Sequence, residues 1–106
     1  MTERIVEMVK IMFDRSGGLV GQAIDLTLDL DTVPSNESQY LLHLIQEADF
    51  FHLPENFVAS STPDEFLYTV TVEAGSMQHR VRMSDTTMPK SLQPLIYELS
   101  TLAAVS

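Results

Sequence analysis

The chain has 106 residues and carries 15 Asp and Glu against 6 Lys and Arg, a formal charge of −9. With 44% hydrophobic residues it can bury one core without help, and with no cysteine it has no disulfide, thiolate metal site or cysteine nucleophile. The acidic excess argues against nucleic acid, whose phosphates need clustered cations. No apolar run approaches the roughly 18 residues of a membrane span. The first residues carry Glu3 and Glu7, unlike a signal peptide. A single cytoplasmic domain over residues 1–106 is the expectation.

Residues 4–14 alternate, with Val9, Ile11 and Phe13 on one face, which is strand periodicity. Three glycines within Arg15-Ser16-Gly17-Gly18-Leu19-Val20-Gly21 predict a turn. Ile24, Leu26, Leu28 and Leu30 then alternate with Asp25, Thr27, Asp29 and Asp31, the second strand of a hairpin. Pro34 and Ser35 suit the start of a helix, whose stripe is Leu41, Leu44, Ile45 and Ala48. Phe50 and Phe51 are expected to plug one end of the core, and residues 55–64 to form a loop.

Phe66, Tyr68, Val70 and Val72 mark a third strand; Met77, His79, Val81 and Met83 mark a fourth. A four-residue turn over residues 73–76 would set Val72 against Met77, Val70 against His79, Tyr68 against Val81, and Thr69 beside Arg80. A last helix begins near Ser91 with the stripe Leu92, Leu95, Ile96 and Leu99, and it tolerates Pro94 only in its first turn. The expected fold is α+β: a four-stranded antiparallel sheet from two hairpins with two helices packed on one face, in the order ββαββα.

The residues offer little chemistry. His43 and Glu47 share a helix face and His52 follows nearby, but a metal site needs at least three converging ligands, and no HExxH motif or carboxylate cluster completes one. His79, on an apolar strand face, reads as structural. Gly17, Gly18 and Gly21 precede a strand rather than a helix, so they cannot aim a helix N-terminus at a phosphate. No catalytic group and no cofactor is expected, and the chain reads as a non-enzyme. What remains is surface. Leu19 and Val20 sit at a glycine-flanked turn, either folded over the sheet edge or anchoring a partner. Arg15 could hold a partner carboxylate, or pair with Asp14 or Asp29. Phe50, Phe51, His52 and Leu53 form a second apolar candidate, and the polar sheet face around Thr69, Arg80 and Arg82 a third.

The Arg15–Gly21 run, Ala48-Asp49-Phe50-Phe51-x-Leu53-Pro54, Tyr68-x-Val70-x-Val72-Glu73 and Met88-Pro89-x-x-Leu92-x-Pro94-Leu95, in that order, resemble the emfourin family. The resemblance spans about residues 10–99. Emfourins are small bacterial inhibitors of protealysin, a thermolysin-like zinc metallopeptidase often encoded beside them. The resemblance therefore implies a protease inhibitor whose partner is such a metallopeptidase. Composition and charge add the expectation of no nucleic acid or membrane partner, and the chain is expected to be a monomer. Such proteases favour a bulky apolar residue after the scissile bond, which Leu19 would supply. The expected protease-binding residues are Arg15, Ser16, Gly17, Gly18, Leu19 and Val20. A binding module of the same fold with a different partner is the alternative.

Overall fold

A computed structural model describes residues 9–17, 23–58 and 65–105. The order is β1 (Val9–Gly17), β2 (Ile24–Asp29), α1 (Ser35–Glu47), β3 (Phe66–Ala74), β4 (Met77–Ser84) and α2 (Gln93–Val105), the expected ββαββα. Short 3₁₀ turns at Phe50–His52 and Lys90–Leu92 flank the helices. Residues 4–8 of the first predicted strand lie outside the described residues.

Both hairpins form, and they join through their first strands, giving the antiparallel order β2-β1-β3-β4. Alternation then does the sorting. Val9, Ile11 and Phe13 of β1, Val70 and Val72 of β3, and Val81 and Met83 of β4 project to one face and are buried. Leu41, Leu44 and Ile45 of α1 and Leu95, Ile96 and Leu99 of α2 close over them in a single core. Pro34 precedes α1 and Pro94 lies in the first turn of α2, the places where a missing N–H costs least. Neither Pro34 nor Ser35 caps α1 through a side chain; the buried Ser38 hydroxyl instead donates to the Leu30 carbonyl.

The β3–β4 register corrects the expectation by two residues. Val72 pairs with His79, Val70 with Val81, Tyr68 with Met83 and Thr69 with Arg82. The turn has two residues, because Gly75 takes φ +63° and lets Ala74 pair directly with Met77. A glycine at the first central position is the pattern of a type II′ hairpin. A two-residue shift keeps every side chain on its face, so alternation alone cannot detect it.

The predicted 55–64 loop is only partly a loop. Arg82 N–H donates to the Glu55 carbonyl (2.9 Å) and Phe57 N–H to the Arg82 carbonyl (2.8 Å), so this segment covers part of the β4 edge. Such covering is one way a sheet avoids pairing with other chains. Residues 59–64 lie outside the described residues. Toward the Met77 end of the sheet Phe50, 1% exposed, meets the rings of Phe51 and His79 edge-on at 5.9 and 5.6 Å. His79 Nε2–H donates to the Leu53 carbonyl (2.7 Å), which makes it the structural histidine its position suggested.

Burial, and after it the neighbouring Glu98 carboxyl of α2, raises Glu37 of α1 above its ordinary carboxyl value of 4.5. A carboxyl raised on folding contributes stability below its unfolded pKa and loses it as pH climbs through the folded value. Glu37→Gln is therefore expected to stabilise the fold at pH 7, by up to about 1 kcal/mol, the scale of a solvent-reaching charge pair. The gain should shrink at pH 4. Urea unfolding at both pH values checks this; a variant no more stable than the parent at pH 7 would contradict it.

Candidate functional site

The candidate residues begin where β1 ends. Arg15, Ser16 and Gly17 continue the β1–β3 ladder opposite Tyr68, Leu67 and Phe66. Gly18, Leu19 and Val20 lie outside the described residues. Alternation sends Ser16 to the open sheet face, where it is exposed, and Arg15 to the helix-covered face, where it is half-buried.

Gly17 has a requirement no other residue meets. Its φ is +91°, and a Cβ there would stand 2.7 Å from the Glu65 carbonyl oxygen. That oxygen is backbone and cannot swing away. Gly17→Ala is expected to cost about 1–3 kcal/mol through left-handed strain and the close approach. Chemical denaturation reads the loss directly, and an unchanged midpoint would contradict it.

Arg15 stacks rather than pairs. Its guanidinium carbon sits 4.5 Å from the centre of the Phe66 ring, a cation–π contact. Asp14 projects to the opposite face and Asp29 lies five positions along the register, so the expected pairings with them do not form. The Phe66 ring leans on Tyr68, and Tyr68 stacks on Phe13, with 6.3 Å between centres in each case. The rings thus tie the Arg15 shelf to the core.

Asp85, in the loop after β4, fixes this ladder from the side. One carboxylate oxygen accepts the Phe66 N–H (2.9 Å) and the other the Tyr68 hydroxyl (2.8 Å). The Asp85 N–H donates to the Phe66 carbonyl (3.3 Å). Burial, then the hydrogen bond and charge of Asp85, push Tyr68 up to about 12, against a smaller opposing pull from Arg15. The phenol stays protonated and keeps donating. Next to it Glu65 accepts from the Thr86 hydroxyl (2.9 Å), a second tie between the start of β3 and the loop. Nothing in the sequence pattern identified Phe66, Tyr68 or Asp85 as neighbours of Arg15. Asp85 reaches its partners across 17 and 19 residues of chain.

The other candidates are arranged differently. On the open face Thr69 stands beside Arg82, while Arg80 Nε–H donates to the buried Thr71 hydroxyl oxygen (3.2 Å). At the far edge of that face Asp25, opposite Asp14 in the register, raises the Asp14 carboxyl above its ordinary value, first by a hydrogen bond. Phe50 closes the core as expected, and Phe51, with Val9, Leu42, Ile45 and Met77, lines an apolar groove at the end opposite Arg15. His43 is exposed on α1, whereas His52 hydrogen-bonds Asp49 (2.7 Å). Among the described residues no three His, Asp or Glu side chains converge as metal ligands, and no helix is long and apolar enough to cross a membrane.

The arrangement positions side chains for contact, and among the described residues of the site there is no nucleophile with an adjacent base. Comparison with known proteins agrees with a binding role. The family model described as Emfourin matches residues 13–100, from the middle of β1 into α2. No curated protein matches the chain, and no solved structure does.

Proposed function

This chain belongs to the emfourin family, and from that premise we propose that it inhibits a thermolysin-like, protealysin-type zinc metallopeptidase by blocking its active-site cleft. The family match over most of the chain is the observation that carries this reading. Family membership supports the coarse role, an inhibitor domain whose partner is a protease, and is consistent with a non-catalytic protein. The finer reading places Arg15, Ser16, Gly17, Gly18, Leu19 and Val20 against the protease, with Leu19 in the pocket that takes a bulky apolar residue. The zinc concerned belongs to the protease.

Two features of the turn's base support the choice of this end. Gly17 is held against the Glu65 backbone, and Asp85 fixes the strand opposite it. A segment whose ends are already ordered loses less entropy on binding, and preorganisation of this kind is a general source of affinity.

Amide resonances of the labelled chain, recorded with and without a thermolysin-like protease, map the contact. Perturbation centred on Arg15, Ser16, Gly17 and Ile24 is expected. Perturbation centred on Phe51 and Met77 at the opposite end, or on Arg80 and Arg82, would overturn the assignment of the turn.

A further inference from the structure

Among the described residues Arg15 is a cation with no anion, in an acidic protein. The chain carries −9, yet no hydrogen bond or ion pair joins the Arg15 guanidinium to another described residue, and its Nε is buried without a partner. The carboxylate that stands in the same cluster is already engaged: both Asp85 oxygens accept hydrogen bonds, from Phe66 N–H and from Tyr68. Phe66 in turn holds the guanidinium from below. A half-buried guanidinium that no described residue pairs has shed part of its hydration without regaining hydrogen bonds from them, a cost that an incoming anion offsets.

We propose that Arg15, on the Phe66 ring and positioned through Asp85, is a receptor for the carboxylate of an aspartate or glutamate side chain at the rim of the protease cleft. This rests on the inhibitor reading and names the partner chemistry at that end of the molecule. A guanidinium fork suits a carboxylate because two parallel N–H donors meet two oxygens, a match that an ammonium cannot reproduce. Asp85 is a positioning residue here. It touches neither partner group; it fixes the backbone and neighbouring phenol on which the shelf depends.

The test compares wild type, Arg15→Gln and Arg15→Lys in inhibition assays over a range of salt, with thermal melts to confirm folding. The Arg15 Nε–Hε resonance is followed in the same proteins, free and in complex. Arg15→Gln is expected to weaken inhibition roughly ten- to a hundredfold, the scale of a charge-assisted hydrogen bond. It should also flatten the salt dependence. Arg15→Lys should recover only part, and the wild-type resonance should move on complex formation. Asp85→Ala should weaken inhibition and shift that resonance in the free chain. If wild type inhibits while Arg15→Gln inhibits equally well and the resonance stays still, the receptor is overturned and the inhibitor reading stands. If wild type inhibits nothing, the inhibitor reading has failed on its own. Acetate titration then decides the site: a saturable shift of the Arg15 resonance that chloride does not reproduce supports it, and no saturable shift overturns it.

Discussion

Leu19→Asp is expected to weaken inhibition by roughly thirty- to a thousandfold, corresponding to about 2–4 kcal/mol for loss of a central apolar anchor. The expectation combines two costs. Apolar contact with the protease pocket disappears, and a carboxylate would be desolvated there without a partner. The fold is expected to survive, because the described strand positions from Val9 to Met83 and the two helix stripes already form one core with each other. Inhibition constants and melting curves of the two proteins check both halves. Equal inhibition by a folded variant would remove the turn as the anchor.

Phe50→Ala is the converse, a large change in stability with little change in recognition. Phe50 is 1% exposed and meets two rings edge-on, so its removal deletes apolar burial and leaves a void beneath Phe51 and His79. Such truncations cost about 3–5 kcal/mol. A domain of this size has a total of about 5–15 kcal/mol, so the melting temperature should fall by about 12 °C or more. Phe50 and the Arg15 cluster lie at opposite ends of the sheet. Below its lowered melting temperature the variant should therefore inhibit like the parent. A loss of inhibition in the folded variant would show that the two ends are coupled, or that the protease docks at the Phe50 end.

These contrasts follow from how the chain is patterned. Strand alternation around Phe13, Leu26, Val70 and Val81, and the helix stripe through Leu95 and Leu99, were legible because each side chain's face repeats with the backbone period. The β3–β4 register was not, since a shift of two residues leaves every face unchanged; Gly75 decided it through its backbone angle. Asp49 is similar. At the end of α1 it takes φ +52°, a conformation usual for glycine and tolerated by aspartate, and this turns the chain so that Phe50 enters the core.

The candidate site was legible only in part. Glycine spacing pointed to the turn and to Arg15, but the alternatives weighed for Arg15 were an ion pair or a partner. Its seat on Phe66 depends on diagonal contact across β1 and β3, two strands separated by most of the chain's first half. Nothing in the sequence pattern singled out Asp85. Its three hydrogen bonds to Phe66 and Tyr68 appear only once β3 and the loop after β4 are brought together.

The most direct measurement is a titration of thermolysin and of a protealysin-type protease with the purified chain, following peptide hydrolysis. An inhibitor that blocks the cleft predicts loss of activity that completes near one chain per enzyme in at least one of them. Full activity of both proteases in the presence of excess chain would contradict inhibition of thermolysin-like metallopeptidases and move this acidic α+β domain to another partner.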